Sequence, residues 1–82
     1  MTELNQEYER RGLMRPAAVM RHLAIEKDAL LMLVAQRELS EVIFPWKGST
    51  IARGYVAADV LGKRAIYRDG RVRLVPQPAD GP

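Results

Sequence analysis

The chain has no cysteine among its 82 residues. That excludes a disulfide framework and any thiolate metal site. It has a single histidine, His22. No further ligand types stand near it at metal-binding spacing, and no nucleophile or orienting carboxylate accompanies it, so His22 is expected to pack or to face solvent. Paired carboxylates, a nucleophile beside a base and a glycine-rich phosphate cradle are all missing, so the chain is not expected to be an enzyme or to hold a cofactor. No apolar run approaches the ~20 residues of a membrane span. The opening stretch MTELNQEYERR is polar and lacks the apolar centre of a signal peptide. A cytoplasmic protein with no membrane partner is expected. There are no internal repeats.

What is present is a globular composition, 48% hydrophobic and 28% charged. A chain of this length forms one domain with one modest core. Its net charge of +3 is unevenly spread. Residues 1–41 carry six basic and seven acidic side chains, whereas residues 42–82 carry seven basic and three acidic ones. Five of the basic residues lie between Lys63 and Arg73. Such clustering is the electrostatic footprint of a phosphate-binding face.

The chain is organised around Pro16–Leu39. Leu13 to Ala24 holds a first helix, over 16–24, which Pro16 suits at its first turn. Val19, Met20 and Leu23 recur at helical spacing. A short turn leads to a second helix over 27–37, with Leu30, Leu33 and Val34 on one face. Val19, Leu23, Leu30, Leu33, Val34 and Leu39 are the expected core, with Val42 packing under the helix pair beside Leu39. Residues 1–12 form a polar arm or a short helix that Gly12 would end. Strands are expected near 42–45 and 51–56 around the turn residues PWKGST, with Trp46 at the tip. Ala57–Leu61 is one helical turn stopped by Gly62. Asp69-Gly70 between β-prone runs marks a second hairpin, whose strands alternate apolar and basic residues. Which of its faces points inward depends on register. Residues 76–82 read as a flexible tail.

The matching residues Pro16, Ala17, Val19, Leu23, Ile25, Leu30, Leu33, Val34 and Leu39, followed by Val56, Ala57, Ala58, Asp59 and Val60, occur in a familiar order. Over residues 14–61 the chain resembles the winged helix-turn-helix proteins of the phage excisionase and mercury-regulator type. The resemblance implies an α+β fold: a winged helix-turn-helix core with an additional C-terminal β-hairpin, in one domain over residues 13–75. It also implies a small DNA-binding protein of a phage or mobile element, either an architectural factor or a transcription regulator. Its partner would be double-stranded DNA, together with further copies of itself or a recombinase or regulatory protein.

In that family the second helix enters the major groove and the wing touches the backbone or minor groove. The face toward DNA would be Lys27, Asp28, Leu31, Met32, Ala35 and Gln36. The chain departs from the family here, with Glu26 and Asp28 where phosphates would approach and Leu31 and Met32 where base-reading residues stand. Two outcomes follow. Phosphate contacts fall to the wing and second hairpin, giving Lys27, Gln36, Lys47, Arg53, Lys63, Arg64, Arg68, Arg71 and Arg73 as DNA-binding candidates. Alternatively, Leu31, Met32 and Trp46 dock a protein, and the chain is an interaction module such as a small phage inhibitor or adaptor. A further possibility is that residues 1–12 or the C-terminal hairpin cover Leu31 and Met32 and make them core.

Overall fold

The computed structural model describes residues 3–78. They form an α+β fold of four helices and two small antiparallel sheets. The opening polar segment is helical. Helix α1 spans Glu3–Arg10 and stops before Gly12, whose φ of 68° is left-handed. Glu7 accepts from Arg10 three residues on and from Arg11 four residues on, a spacing that supports a short helix.

One element is not foreseen from the sequence. Leu13–Met14 forms strand β1 instead of leading into the first core helix. Proline holds the residue before it out of the helical region, and Arg15 is extended at φ −69°, ψ 154°. Helix α2 therefore starts only at Pro16 and spans Pro16–Leu23. Ala24 ends it at φ 54°, with the amides of Ala24 and Ile25 bonded back to Arg21 and Met20. Helix α3 spans Lys27–Ala35. It is shorter than the expected 27–37, because Arg37 turns left-handed at φ 63° and the amides of Glu38 and Leu39 fold back onto the Leu33 carbonyl.

Strands β2, Glu41–Pro45, and β3, Ile51–Val56, pair antiparallel, and β1 adds to the other edge of β3. Helix α4, Ala57–Val60, is a single turn. Strands β4, Lys63–Arg68, and β5, Arg71–Pro76, form the second sheet. Asp69 and Gly70 join them at φ 53° and 74°, the two positive values that a type I′ turn requires. Pro76 lies in β5 and the Gln77 amide donates to the Gly62 carbonyl. The flexible tail therefore does not start at residue 76, and its last residues, 79–82, lie outside the described part.

The three-stranded sheet is covered on both faces. Tyr55 points toward α2 and α3 and joins Val19, Leu23, Ile25, Ala29, Leu30, Leu33, Leu39, Val60 and Val72 in the larger core cluster. Val34 lines this cluster only partly buried, on its rim. On the other face α1 lays Tyr8 against Leu13, Phe44 and Ala52. The Tyr8 and Phe44 rings meet edge to face with centroids 5.5 Å apart. The Tyr8 hydroxyl donates to the Arg53 carbonyl at 2.7 Å. Val42 packs in this second cluster, not under the helix pair as expected, because the pleat turns it to the face opposite Tyr55. Among the described residues, no helix is long and apolar enough to cross a membrane.

Candidate functional site

The most distinctive surface is the outer face of β4 and β5. Their register pairs Arg64 with Val75, Ile66 with Arg73 and Arg68 with Arg71. Because side chains alternate across a strand, these three pairs share one face. The intervening pairs, Ala65 with Leu74 and Tyr67 with Val72, share the other. Val72 is fully buried there, and Ala65 and Leu74 pack against the main core. The inward face is thus settled by Val72 and Leu74, and four arginines are left pointing outward. Arg64, Arg68, Arg71 and Arg73 are all exposed. Arg68 and Arg71 stand directly opposite each other across the strands, and such like-charged pairs destabilise a sheet. Together with Asp69 and Arg73 they line a shallow hollow.

Only Arg73 of the four has a carboxylate within 4.0 Å among the described residues: its Nε lies 2.9 Å from Glu38 Oε2. Glu38 organises this corner, which sequence patterning does not signal because the residue follows a helix end and lies far from β5 in the chain. Its Oε1 accepts from the Leu74 amide at 3.1 Å and its Oε2 from Gln36 Nε2 at 2.8 Å. Gln36 Nε2 also donates to the Val72 carbonyl at 2.8 Å. Gln36 and Glu38 thereby satisfy the edge of β5 that β4 does not pair.

The remaining candidates fall elsewhere. Lys63 sits at the far end of the inner face, opposite Pro76, and is separate from the four arginines. Lys47 bonds Glu3 at 2.7 Å, and this contact and its charge hold the Glu3 carboxyl below its ordinary range. Lys47 Nζ also lies 5.6 Å from the Trp46 ring centroid. Trp46 itself is half-buried against the Tyr8 cluster, a lid on that small core more than a free tip. Arg53 lies 3.5 Å from Glu41, which also accepts from the Tyr55 hydroxyl at 3.1 Å. Burial, then that bond to Glu41, holds the Tyr55 hydroxyl above its ordinary range, so it remains a donor.

Helix α3 does not present the face expected of it. Met32 Sδ accepts from the Val72 amide at 3.4 Å. Gln36, one of the DNA-binding candidates, is hydrogen-bonded to the Val72 carbonyl and Glu38 here. Ala29, Met32 and Gln36 thus form the side of α3 turned to β5. Asp28, Ala29 and Met32 face Tyr67, Gly70 and Val72 across a small hollow. The C-terminal strands touch Met32 but do not make the Leu31–Met32 surface core, which one of the sequence alternatives expected: Met32 is still 36% exposed. Leu31 stays 46% exposed. It lines a separate apolar cleft with Pro16, Met20, Leu30 and Tyr55, edged by Lys27 and Arg53. His22 is exposed on α2. Among the described residues no group of three or more metal-ligating side chains gathers.

No family model matches the chain, and no curated protein or solved structure shows significant similarity to it.

Proposed function

We propose that this chain binds double-stranded DNA through the outer face of β4 and β5. In this reading residues 13–75 are a winged helix-turn-helix core with an added C-terminal hairpin, working as an excisionase-like architectural factor or transcription regulator. The order of α2, a three-residue turn, α3 and the β2–β3 hairpin supports it. The observation that carries it is the set of four outward arginines, three of them with no carboxylate within 4.0 Å among the described residues. Guanidinium groups suit phosphate because they present paired donors in a rigid fork.

A salt titration of binding to mixed-sequence duplex DNA tests this. Each neutralised phosphate contributes about −0.9 to the slope of log affinity against log salt. Engagement of phosphate by two to four of the arginines is expected to give a slope of roughly −2 to −4. Failure to bind duplex DNA at low salt would overturn the proposal.

The exposed Leu31 and its cleft favour a second reading, a protein partner docked between α3 and the three-stranded sheet. Its test is Leu31→Glu alone, because Met32 is engaged with β5. Loss of a partner with retained folding and retained DNA binding would assign that cleft to protein.

A further inference from the structure

Resting on the DNA-binding reading, we infer that the two-stranded β4–β5 ribbon enters the major groove, and that α3 serves as its buttress. The major groove admits either a helix or a two-stranded ribbon. Three observations favour the ribbon. First, β5 lies along α3, with Met32 and Gln36 bonded to Val72. A duplex approaching that side of α3 meets the ribbon first. Second, what α3 still shows is poor in donors. Lys27, Leu31 and Ala35 face out, while Glu26 and Asp28 at its start repel phosphates. Third, the ribbon concentrates donors where α3 has few. Arg68 and Arg71 are directly opposed near the turn, Arg73 follows on β5, and Arg64 stands four residues back from Arg68 on β4.

The spacing fits the groove. Strands lie about 4.8 Å apart, so a two-strand ribbon with its side chains is narrower than the roughly 12 Å groove. Along one strand, residues on the same face repeat every ~6.8 Å, which puts Arg64 and Arg68 about 13.6 Å apart. The leading pair, Arg68 and Arg71, then reaches base edges, and Arg64 remains at the rim near phosphate. Arginine reads guanine through its O6 and N7 acceptors. The opposed Arg68–Arg71 pair is unfavourable in the free protein and is relieved when acceptors are placed between the two guanidinium groups.

The experiment compares a G·C-rich duplex with the same duplex carrying 7-deazaguanine, which lacks the N7 acceptor and leaves phosphates and minor groove unchanged. Binding of the full chain is measured by anisotropy alongside Arg68→Gln/Arg71→Gln and Lys27→Gln/Leu31→Gln, each checked for folding by circular dichroism. The inference expects the 7-deaza duplex to bind roughly five- to tenfold more weakly, within the discrimination a bidentate contact supplies. It also expects that difference to vanish in the arginine variant and to persist in the α3 variant. Equal binding to both duplexes overturns ribbon entry and leaves the DNA reading standing. A difference that vanishes in the α3 variant instead restores α3 as the reading element and overturns the inference. No binding to the unmodified duplex overturns the DNA reading itself.

Discussion

Gly54 is the residue on which α1 depends. A Cβ built there would lie 2.8 Å from Tyr8 Cε1 and 3.0 Å from Leu13 Cβ. In the sequence Gly54 reads as a weak point of a strand; in the fold it is the gap that admits an aromatic ring. Gly54→Ala should destabilise by about 1–3 kcal/mol through overpacking, measured by urea unfolding. Ala24 presents the opposite case. It occupies a left-handed helix end that glycine favours, so Ala24→Gly should stabilise by about 0.5–1 kcal/mol in the same assay. Arg71 joins stability to binding. Replacing it with threonine removes one member of an opposed like-charged pair and adds a β-branched side chain. The free protein should gain a few tenths of a kcal/mol, while in the proposed reading DNA affinity falls and the preference for G·C-rich duplex relaxes. Lower stability for Arg71→Thr would show that the guanidinium is held by its own fold and not kept for a ligand.

Among the elements, α2 and α3 were the most legible because each has apolar residues at helical spacing and a proline or acidic residue at its start. Their core was legible too: Val19, Leu23, Leu30, Leu33 and Leu39 are all buried together. Leu33→Ala should cost about 2–5 kcal/mol, most of what a domain this small possesses. Strand β1 was not legible, because two residues carry no periodicity and exist as a strand only through their pairing with Val56 and Tyr55. Helix α1 was half legible. Its polar sequence permits a helix, but only the pocket beside Gly54 holds Tyr8 and so docks it. Arg10 and then Arg11, bonded to Glu7, depress that carboxyl below its ordinary range. A depressed carboxylate contributes stability above its unfolded value, and that contribution is lost as pH falls through the folded one. The protection of α1 amides, with the intrinsic pH dependence of exchange divided out, should therefore fall on acidification through and below the ordinary glutamate range, and less so in high salt, which screens exposed pairs. Protection that is flat across that range would remove Glu7 from the account of α1.

For the molecule as a whole, the asymmetry of charge was countable along the chain, and so was the likelihood of a turn at Asp69-Gly70. Alternating basic and apolar residues in 71–74 follow from the order of letters alone. Which of them face outward did not. The same alternation is compatible with either face buried, and a one-residue slip exchanges them. Register resolved it: Val72 and Leu74 find the core beneath α3, so Arg71 and Arg73 must point away, and Arg68 is carried to the same face by its pairing with Arg71. The covering of α3 was likewise a matter of three dimensions. Gln36 and Val72 are 36 residues apart, and no local pattern links an amide near a helix end to a carbonyl on a distant strand edge. Local periodicity and turn chemistry act over a few residues, so they decide which segments are helices and strands. Pairing register and long-range burial act between segments, so they decide which side chains share a surface and which are hidden beneath it.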